Sequence, residues 1–377
     1  MKRLLFIVNV DWFFVTHRLP IATKAINDGY EVHIATKVTD KSDTLKNHGL
    51  IVHPLNLHRS KLSLSSLIKE FWNIYSIIKL IKPSILHLVT IKPVLFGGIA
   101  SRLIKTPSVV SAISGLGHVF SKKGIFGFLQ RKLASFLYLF ALSHKNQFII
   151  FQNKDDRAKL LKNTKLHSQK TVIIHGSGID LTLYTVKPMP TEKPIVLFAS
   201  RLIADKGIRE FVKAAKIINK DNIVARFIVA GSPDFLNPSS ITQGELDEWN
   251  EKKYVEVLGH CTDMVSIISS SNLLVFPSYY GEGLPKILIE AAACGRPVIT
   301  TDHPGCRDAI KNNSTGLLVP VKNTKKLVDS INYMLINPAM SVKMGKEGRR
   351  WAEEMFDINK VVARHITLYN KLNEKAR

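Results

Sequence analysis

Residues 276–300, FPSYYGEGLPKILIEAAACGRPVIT, constrain this chain more than any other stretch. A short apolar strand, Asn272 to Pro277, runs into an exposed loop and then into a helix read from Pro285 to Cys294. Proline suits the first helical position, where no N–H is needed, and Gly295 ends the helix before the β-branched run Pro297 to Thr301. Two acids flank the helix entry with seven residues between them: Glu282 in the loop, and Glu290 on the second turn of an otherwise apolar helix. A helix N-terminus offers backbone N–H groups and a partial positive charge to an anion such as a diphosphate. Carboxylates accept hydrogen bonds from hydroxyls, which is what a sugar presents. Any α/β protein contains strand–loop–helix units, but packing alone does not account for Glu290. Together these features suit a sugar nucleotide.

The pattern E-G-L-P-x-x-x-x-E-A-x-A-x-G-x-P-V-I, running from Glu282 to Ile299, resembles the donor-site signature of the retaining glycosyltransferases of family 4. The resemblance implies a GT-B fold: α/β, two facing doubly wound Rossmann-like domains with a C-terminal helix crossing back to the first. The alternation of elements agrees. In the first half strand-like and helical segments succeed one another from Leu4–Val8 and Leu19–Asn27 to Thr171–His175, as in a parallel sheet covered by helices. Between Gly178 and Pro194 three prolines and no clear period read as a linker. The alternation restarts at Ile195–Ser200. Expected domains are 1–180, 190–355 and a last helix, 356–377, returning to the first domain. A chain of 377 residues suits two domains better than one.

A second motif, Ser200-Arg201-Leu202-Ile203-Ala204-Asp205-Lys206-Gly207, leaves the first strand of the second domain at the end where open α/β sheets bind ligands. Two cations near a helix N-terminus can neutralise a diphosphate leaving group without metal, and no D-x-D pair, zinc spacing or cofactor motif is present. G-x-G-x-x-G is missing after either first strand, which disfavours a dinucleotide oxidoreductase. The resemblance assigns Arg201 and Lys206 to the donor diphosphate, Glu290 to the ribose and Glu282 to the hexose hydroxyls. It places Gly283, Leu284 and Pro285 along the donor, and Gly231 and Cys261 in loops at the nucleotide.

The first domain is then expected to take the acceptor. In Gly115-Leu116-Gly117-His118, His118 either projects toward the reacting sugar or is structural. The loop Asp11–His17 carries Trp12-Phe13-Phe14 where many members have glycines. F-F-x-x-H-R-L-P resembles the subset that builds lipid-linked bacterial polysaccharides, making Phe14 and His17 acceptor candidates, although His17 could equally cap the next helix.

Charge sets the partners. The net charge is +23, and residues 1–180 hold 26 Lys and Arg against nine Asp and Glu. Within 51–150 Glu70 is the single acid among 13 bases, which calls for an anionic surface. The stretch from Phe120 to Lys145 mixes Lys122, Lys123, Arg131, Lys132 and Lys145 with Phe, Leu and Tyr. It reads as a basic amphipathic segment in a membrane interface, or as a core helix with a basic outer face. No apolar run reaches the roughly 18–20 residues of a membrane span. Three cysteines without paired spacing suit a reducing cytoplasm.

These readings combine into a retaining transferase on the cytoplasmic face of the inner membrane. It would move a hexose or N-acetylhexosamine from a nucleotide sugar, UDP-linked, to a polyprenyl-diphosphate-linked or other glycolipid acceptor. An epimerase on the same fold would turn over a UDP-sugar without acceptor. A nucleic-acid-binding protein would explain the charge, but no recognition motif accompanies it.

Overall fold

The computed structural model describes residues 2–57, 63–117, 120, 124–220, 224–235 and 237–375. The chain forms two compact units, residues 1–178 with 358–377, and residues 179–357. The first unit holds strands β1 (Lys2–Val10), β2 (Tyr30–Lys37), β3 (Ile51–Pro54), β4 (Ile85–Val89), β5 (Ser108–Ile113), β6 (Gln147–Phe151) and β7 (Thr171–Ile173). They lie in the order β3-β2-β1-β4-β5-β6-β7, every pair parallel. β4 and β5 are buried along their whole length, as central strands covered on both faces must be. Alternation along β1 divides its side chains between two cores: Leu4, Phe6 and Val8 on one face, Leu5 and Ile7 on the other.

The face of Phe6 is covered by the helices Leu19–Asn27 and Ile358–Lys375, so the last helix belongs to the first unit. Its docking buries a cluster of polar side chains. The imidazole of His87 on β4 lies 2.6 Å from the Tyr369 hydroxyl, and the Nδ1 of His365 lies 2.8 Å from the carbonyl of Val361. Arg18 is enclosed with them and donates to the carbonyl of His17. Burial draws the Arg18 guanidinium down to about 10, so it stays charged at neutral pH. Burial, together with Arg18, holds both histidines below their ordinary range, His365 at about 3.

The segment Asp11–His17 is a short helix rather than a loop. Asp11 is buried at its start, and its carboxylate accepts from the N–H groups of Trp12, Thr39 and Lys41 and from the Thr39 hydroxyl. Burial opposes its ionisation, but those bonds outweigh it and hold the carboxyl below its usual range.

The second unit contains β8 (Ile195–Ala199), β9 (Arg226–Ala230), β10 (Glu256–Gly259), β11 (Leu273–Phe276), β12 (Val298–Thr301) and β13 (Gly316–Val319), ordered β10-β9-β8-β11-β12-β13 and again parallel. Residues 179–194, expected to be a linker, are fastened to this unit. The buried Arg296 guanidinium donates to the carbonyls of Lys187 at 2.9 Å, Pro188 at 3.1 Å and Ser269 at 2.5 Å. Asn272 donates to the carbonyl of Pro190, and Arg349 to those of Tyr184 and Ala293. Prolines and missing periodicity mark an irregular backbone, whose carbonyls are then open to side-chain donors. They do not mark an unpacked one.

Between the folded value of about 3 and an unfolded value near 6.5, the unfolded chain takes up a proton that folded His365 refuses. Stability is therefore full above about pH 6.5 and falls as the pH drops, by up to about 1.4 kcal/mol per pH unit for each such histidine. The urea midpoint should decline between pH 7 and pH 5, and His365→Leu should flatten that decline.

Candidate functional site

In the second unit the strand order reverses between β8 and β11, the place where open sheets bind ligands. The loop after β8, Ser200 to Gly207, includes a tight turn at Ala204–Lys206. The loop after β11 runs from Pro277 to Pro285. Gly207 has φ +81°, and a Cβ there would lie 2.2 Å from the carbonyl oxygen of Pro277, so only glycine lets the two loops touch. The N–H of Tyr279 donates to Asp205 O at 2.9 Å, and the Ser278 hydroxyl to the same carbonyl at 3.3 Å.

This contact brings the two motifs together. Lys206 is buried, and its Nζ donates to Glu282 Oε2 at 2.5 Å. The rings of Phe276 and Tyr280 lie 5.4 and 4.9 Å from the ammonium, within cation–π range. The Ser278 hydroxyl donates to the other oxygen of Glu282 at 3.3 Å. Arg201 does not join this pair. It is exposed and bonds Asp234 at 2.6 Å, a partner that sequence reasoning did not single out.

The helix carrying Glu290 runs Lys286–Ala293, and Pro285 stands at its N-cap with φ −64° and ψ 124°, one place earlier than expected. Proline fixes φ equally well there, and its extended ψ aims the helix start along the loop. Glu290 is buried. It accepts from the Tyr184 hydroxyl at 2.9 Å, with Lys286 Nζ 3.7 Å away. Burial raises its carboxyl, against the pull of Lys286 and Tyr184. The Tyr184 phenol is pushed up by burial and by the Glu290 charge, and so remains a donor at neutral pH. Tyr184 lies in the supposed linker, where its composition concealed it.

Gly283 and Leu284 continue the loop, with Leu284 buried. A Cβ on Gly305, at φ +84°, would lie 2.1 Å from the carbonyl oxygen of Gly283, so the start of the helix Cys306–Ala309 braces this loop from behind. Gly231 donates its N–H to Gly259 O at 2.7 Å and meets Ser200 O so closely that no Cβ fits. The half-buried Cys261 thiol lies 3.4 Å from Gly259 O. Gly231 and Cys261 thus belong to the same strand-end layer as Ser200 and Arg201.

The first-unit candidates fare differently. Phe14 is wholly enclosed in the core, 5.2 Å from the ring of Phe6, so it fills the interior and does not face an acceptor. His17 is half-buried, with Nδ1 3.0 Å from Ser177 Oγ and its ring 4.3 Å from that of Phe13. His118 lies outside the described residues, as do Lys122 and Lys123.

Residues 185–351 match the family model of glycosyl transferases group 1, and residues 3–153 match that of glycosyl transferase 4-like proteins. The chain is a glycosyltransferase, with a 4-like domain in its first part and a group 1 domain in its second. The N,N'-diacetylbacillosaminyl-diphospho-undecaprenol α-1,3-N-acetylgalactosaminyltransferase of Campylobacter jejuni is 28% identical over 369 residues, covering 94% of this chain and 95% of its own. The UDP-Gal:α-D-GlcNAc-diphosphoundecaprenol α-1,3-galactosyltransferase of Escherichia coli is 24% identical, covering 81% of this chain and 80% of its own. Among solved structures, HepE of Anabaena in complex with UDP superposes with a TM-score of 0.77 at 16% identity, over 98% of this chain and 100% of its own. The fold is GT-B.

Of the transferase's three free cysteines, Cys294 and Cys306 are buried, and burial and the Glu282 charge push Cys306 up to about 12. Ellman's reagent should find one fast thiol in the native protein, lost in Cys261→Ser, and three in guanidinium chloride.

Proposed function

We propose that this transferase moves a hexose or N-acetylhexosamine from a UDP-sugar to a saccharide carried on polyprenyl diphosphate, with retention at the anomeric carbon, in bacterial surface polysaccharide assembly. The observation that carries the donor half is the buried Lys206 ammonium held on Glu282 at the sheet's switch point. An ammonium has three N–H donors, and Glu282 takes one. The others suit the β-phosphate oxygens of a nucleoside diphosphate, and Arg201 suits a second phosphate. Glu282 then accepts from a hexose hydroxyl while keeping the ammonium in place. Glu290, steadied by Tyr184, accepts from a ribose hydroxyl.

In the reaction the bond from the anomeric carbon to the β-phosphate oxygen breaks, and its electron pair stays on that oxygen. The acceptor hydroxyl oxygen bonds to the anomeric carbon on the same face, and its proton passes to the departing phosphate. Negative charge grows on the phosphate as the bond opens, where Lys206, Arg201 and the start of the helix Lys286–Ala293 stabilise it.

The acceptor half rests on the first unit and on the names of the two relatives, both of which specify diphospho-undecaprenol saccharides. The helix Gly124–Ala141 exposes Ile125, Phe126, Leu129, Leu133 and Phe136, carries Arg131 and Lys132, and contains no acid. The helix Leu64–Ile81, which like Gly124–Ala141 packs on the helix Ile91–Ile104, exposes Leu64, Ile68 and Trp72. The single acid of this region, Glu70, is buried and paired with Lys92 at 2.8 Å. Apolar side chains alongside cations suit an anionic bilayer surface, where a polyprenyl-linked acceptor resides. Among the described residues no helix is long and apolar enough to cross a membrane.

A screen of labelled nucleotide sugars against GlcNAc-diphospho-undecaprenol tests the reading. Lys206→Ala and Glu282→Ala should each lose about 10²–10³-fold in kcat, and the product should keep the donor's anomeric configuration. An inverted product, or unimpaired variants, would overturn it. Sedimentation with vesicles should show binding to phosphatidylglycerol and little to phosphatidylcholine, weakened by salt and by Phe126→Asp with Phe136→Asp. Equal binding to both lipids would count against the membrane contact.

A further inference from the structure

Glu290 is the one acid on the helix Lys286–Ala293, and a single phenol holds its carboxylate. The torsion that turns a glutamate carboxylate is broad, so the group rotates unless something fixes it. The Tyr184 hydroxyl donates to Oε1 at 2.9 Å, and the Lys286 ammonium approaches the same oxygen at 3.7 Å. Both contacts fall on one oxygen, which leaves Oε2 for a ligand.

Tyr184 is itself fixed from several sides. Its N–H donates to Asp180 O at 3.0 Å, in a turn that the Asp180 carboxylate locks. That carboxylate accepts from the Thr182 N–H at 2.9 Å and from the Thr182 hydroxyl at 2.6 Å. Arg349 Nη1 donates to Tyr184 O at 2.5 Å and to Ala293 O at 2.8 Å. One guanidinium thus ties the tyrosine backbone to the last residue of the Glu290 helix.

Arg349 stands one turn beyond Gly345 in the helix Pro338–Met355. A Cβ on Gly345 would lie 2.1 Å from the carbonyl oxygen of Gly295, so only glycine lets this helix come so near the end of the Glu290 helix. On the other side, a Cβ on Gly295 would lie 3.0 Å from Val186 Cγ1, two residues past Tyr184. The tyrosine ring packs on the apolar core of the second unit, and its hydroxyl goes to Glu290. Two apolar side chains would fill the same space without burying a charge. A braced phenol on a buried carboxylate therefore points to a ligand.

We propose that Tyr184 is a positioning residue for donor selection. By fixing the Glu290 carboxylate it lets both ribose hydroxyls of a uridine nucleotide bond there, and the transferase thereby prefers ribonucleotide to 2′-deoxyribonucleotide donors. This rests on the donor reading above and adds to it the class of nucleotide refused and the side chain responsible. A ribose diol donates two hydrogen bonds to the charged acceptor. A 2′-deoxyribose donates one and leaves a buried carboxylate short of a partner.

Titration calorimetry of the wild type, Tyr184→Phe and Glu290→Gln, with UDP and with 2′-deoxy-UDP, tests this. The wild type should bind UDP about tenfold or more tightly than 2′-deoxy-UDP. Tyr184→Phe removes one oxygen and keeps the ring, so it should melt within about 4 °C of the wild type. It should weaken UDP binding more than 2′-deoxy-UDP binding, narrowing the ratio about threefold or more. Glu290→Gln should bring the ratio close to one. A ratio that Glu290→Gln collapses and Tyr184→Phe leaves intact overturns this inference alone. So does an equal loss of both ligands in Tyr184→Phe, which marks a merely structural tyrosine. A wild type that binds neither ligand, or both equally, overturns the ribose assignment of the donor reading and this inference with it. A ratio that Glu290→Gln leaves intact does the same.

Discussion

Most of the second unit's working face depends on the contact between Lys206 and Glu282. A buried ammonium costs several kcal/mol unless it is paired. Here one carboxylate oxygen and two aromatic faces meet it. The pair also joins the loops after β8 and β11, which hold each other as well through the bonds to Asp205 O and the glycine approach at Gly207. An anion arriving at this edge meets a cation already stripped of water. The Coulomb attraction is then larger than at an exposed lysine, and little rearrangement has to accompany binding.

What could be read from the amino-acid order was whatever a short stretch of backbone dictates. Glycines at forced dihedrals, a proline at a helix start and an acid on an apolar helix are local oddities, and each marked a real feature between Gly283 and Gly295. The parallel sheets were legible for the same reason, since buried strands read as apolar runs. Pairings across the chain were not legible. Lys206 and Glu282 both stood out as binding residues, but nothing in a spacing of 76 residues says that they bond each other. Asp234 drew no reading at all and Tyr184 fell in the expected linker, yet Arg201 and Glu290 are held by them.

The aromatic cluster near the N-terminus shows the limit from the other side. Taken as a loop, Trp12-Phe13-Phe14 offers three side chains to a substrate. As a helix it sends successive residues about 100° apart around the axis, so Phe14 enters the core while Phe13 packs on His17 at the surface. Asp11 decides which of the two forms, because its carboxylate organises the helix start through Trp12, Thr39 and Lys41. Two of those partners come from a loop 28 and 30 residues away, beyond the reach of any local pattern.

The two sheets share a topology at their switch points and differ in what they put there. The second unit supplies charge: an ammonium, a guanidinium and two carboxylates, with each cation already on an acid. The first unit has neutral oxygen and nitrogen there, on Asn9 and on Thr90, whose backbone its own side chain disfavours. The charges close to them are taken up within the fold, Asp11 by the N–H groups of Trp12, Thr39 and Lys41, and Lys92 by the buried Glu70. Others lie in a buried Arg18 among uncharged histidines and in cations on the outer helices. Ionic groups suit a leaving group that gains negative charge. Neutral polar groups suit a partner that reacts through a hydroxyl, because a nearby fixed charge would pull that hydroxyl toward itself and away from the carbon it must attack. The division of electrostatics between the units thus fits a reaction in which one substrate is an anion and the other is a sugar.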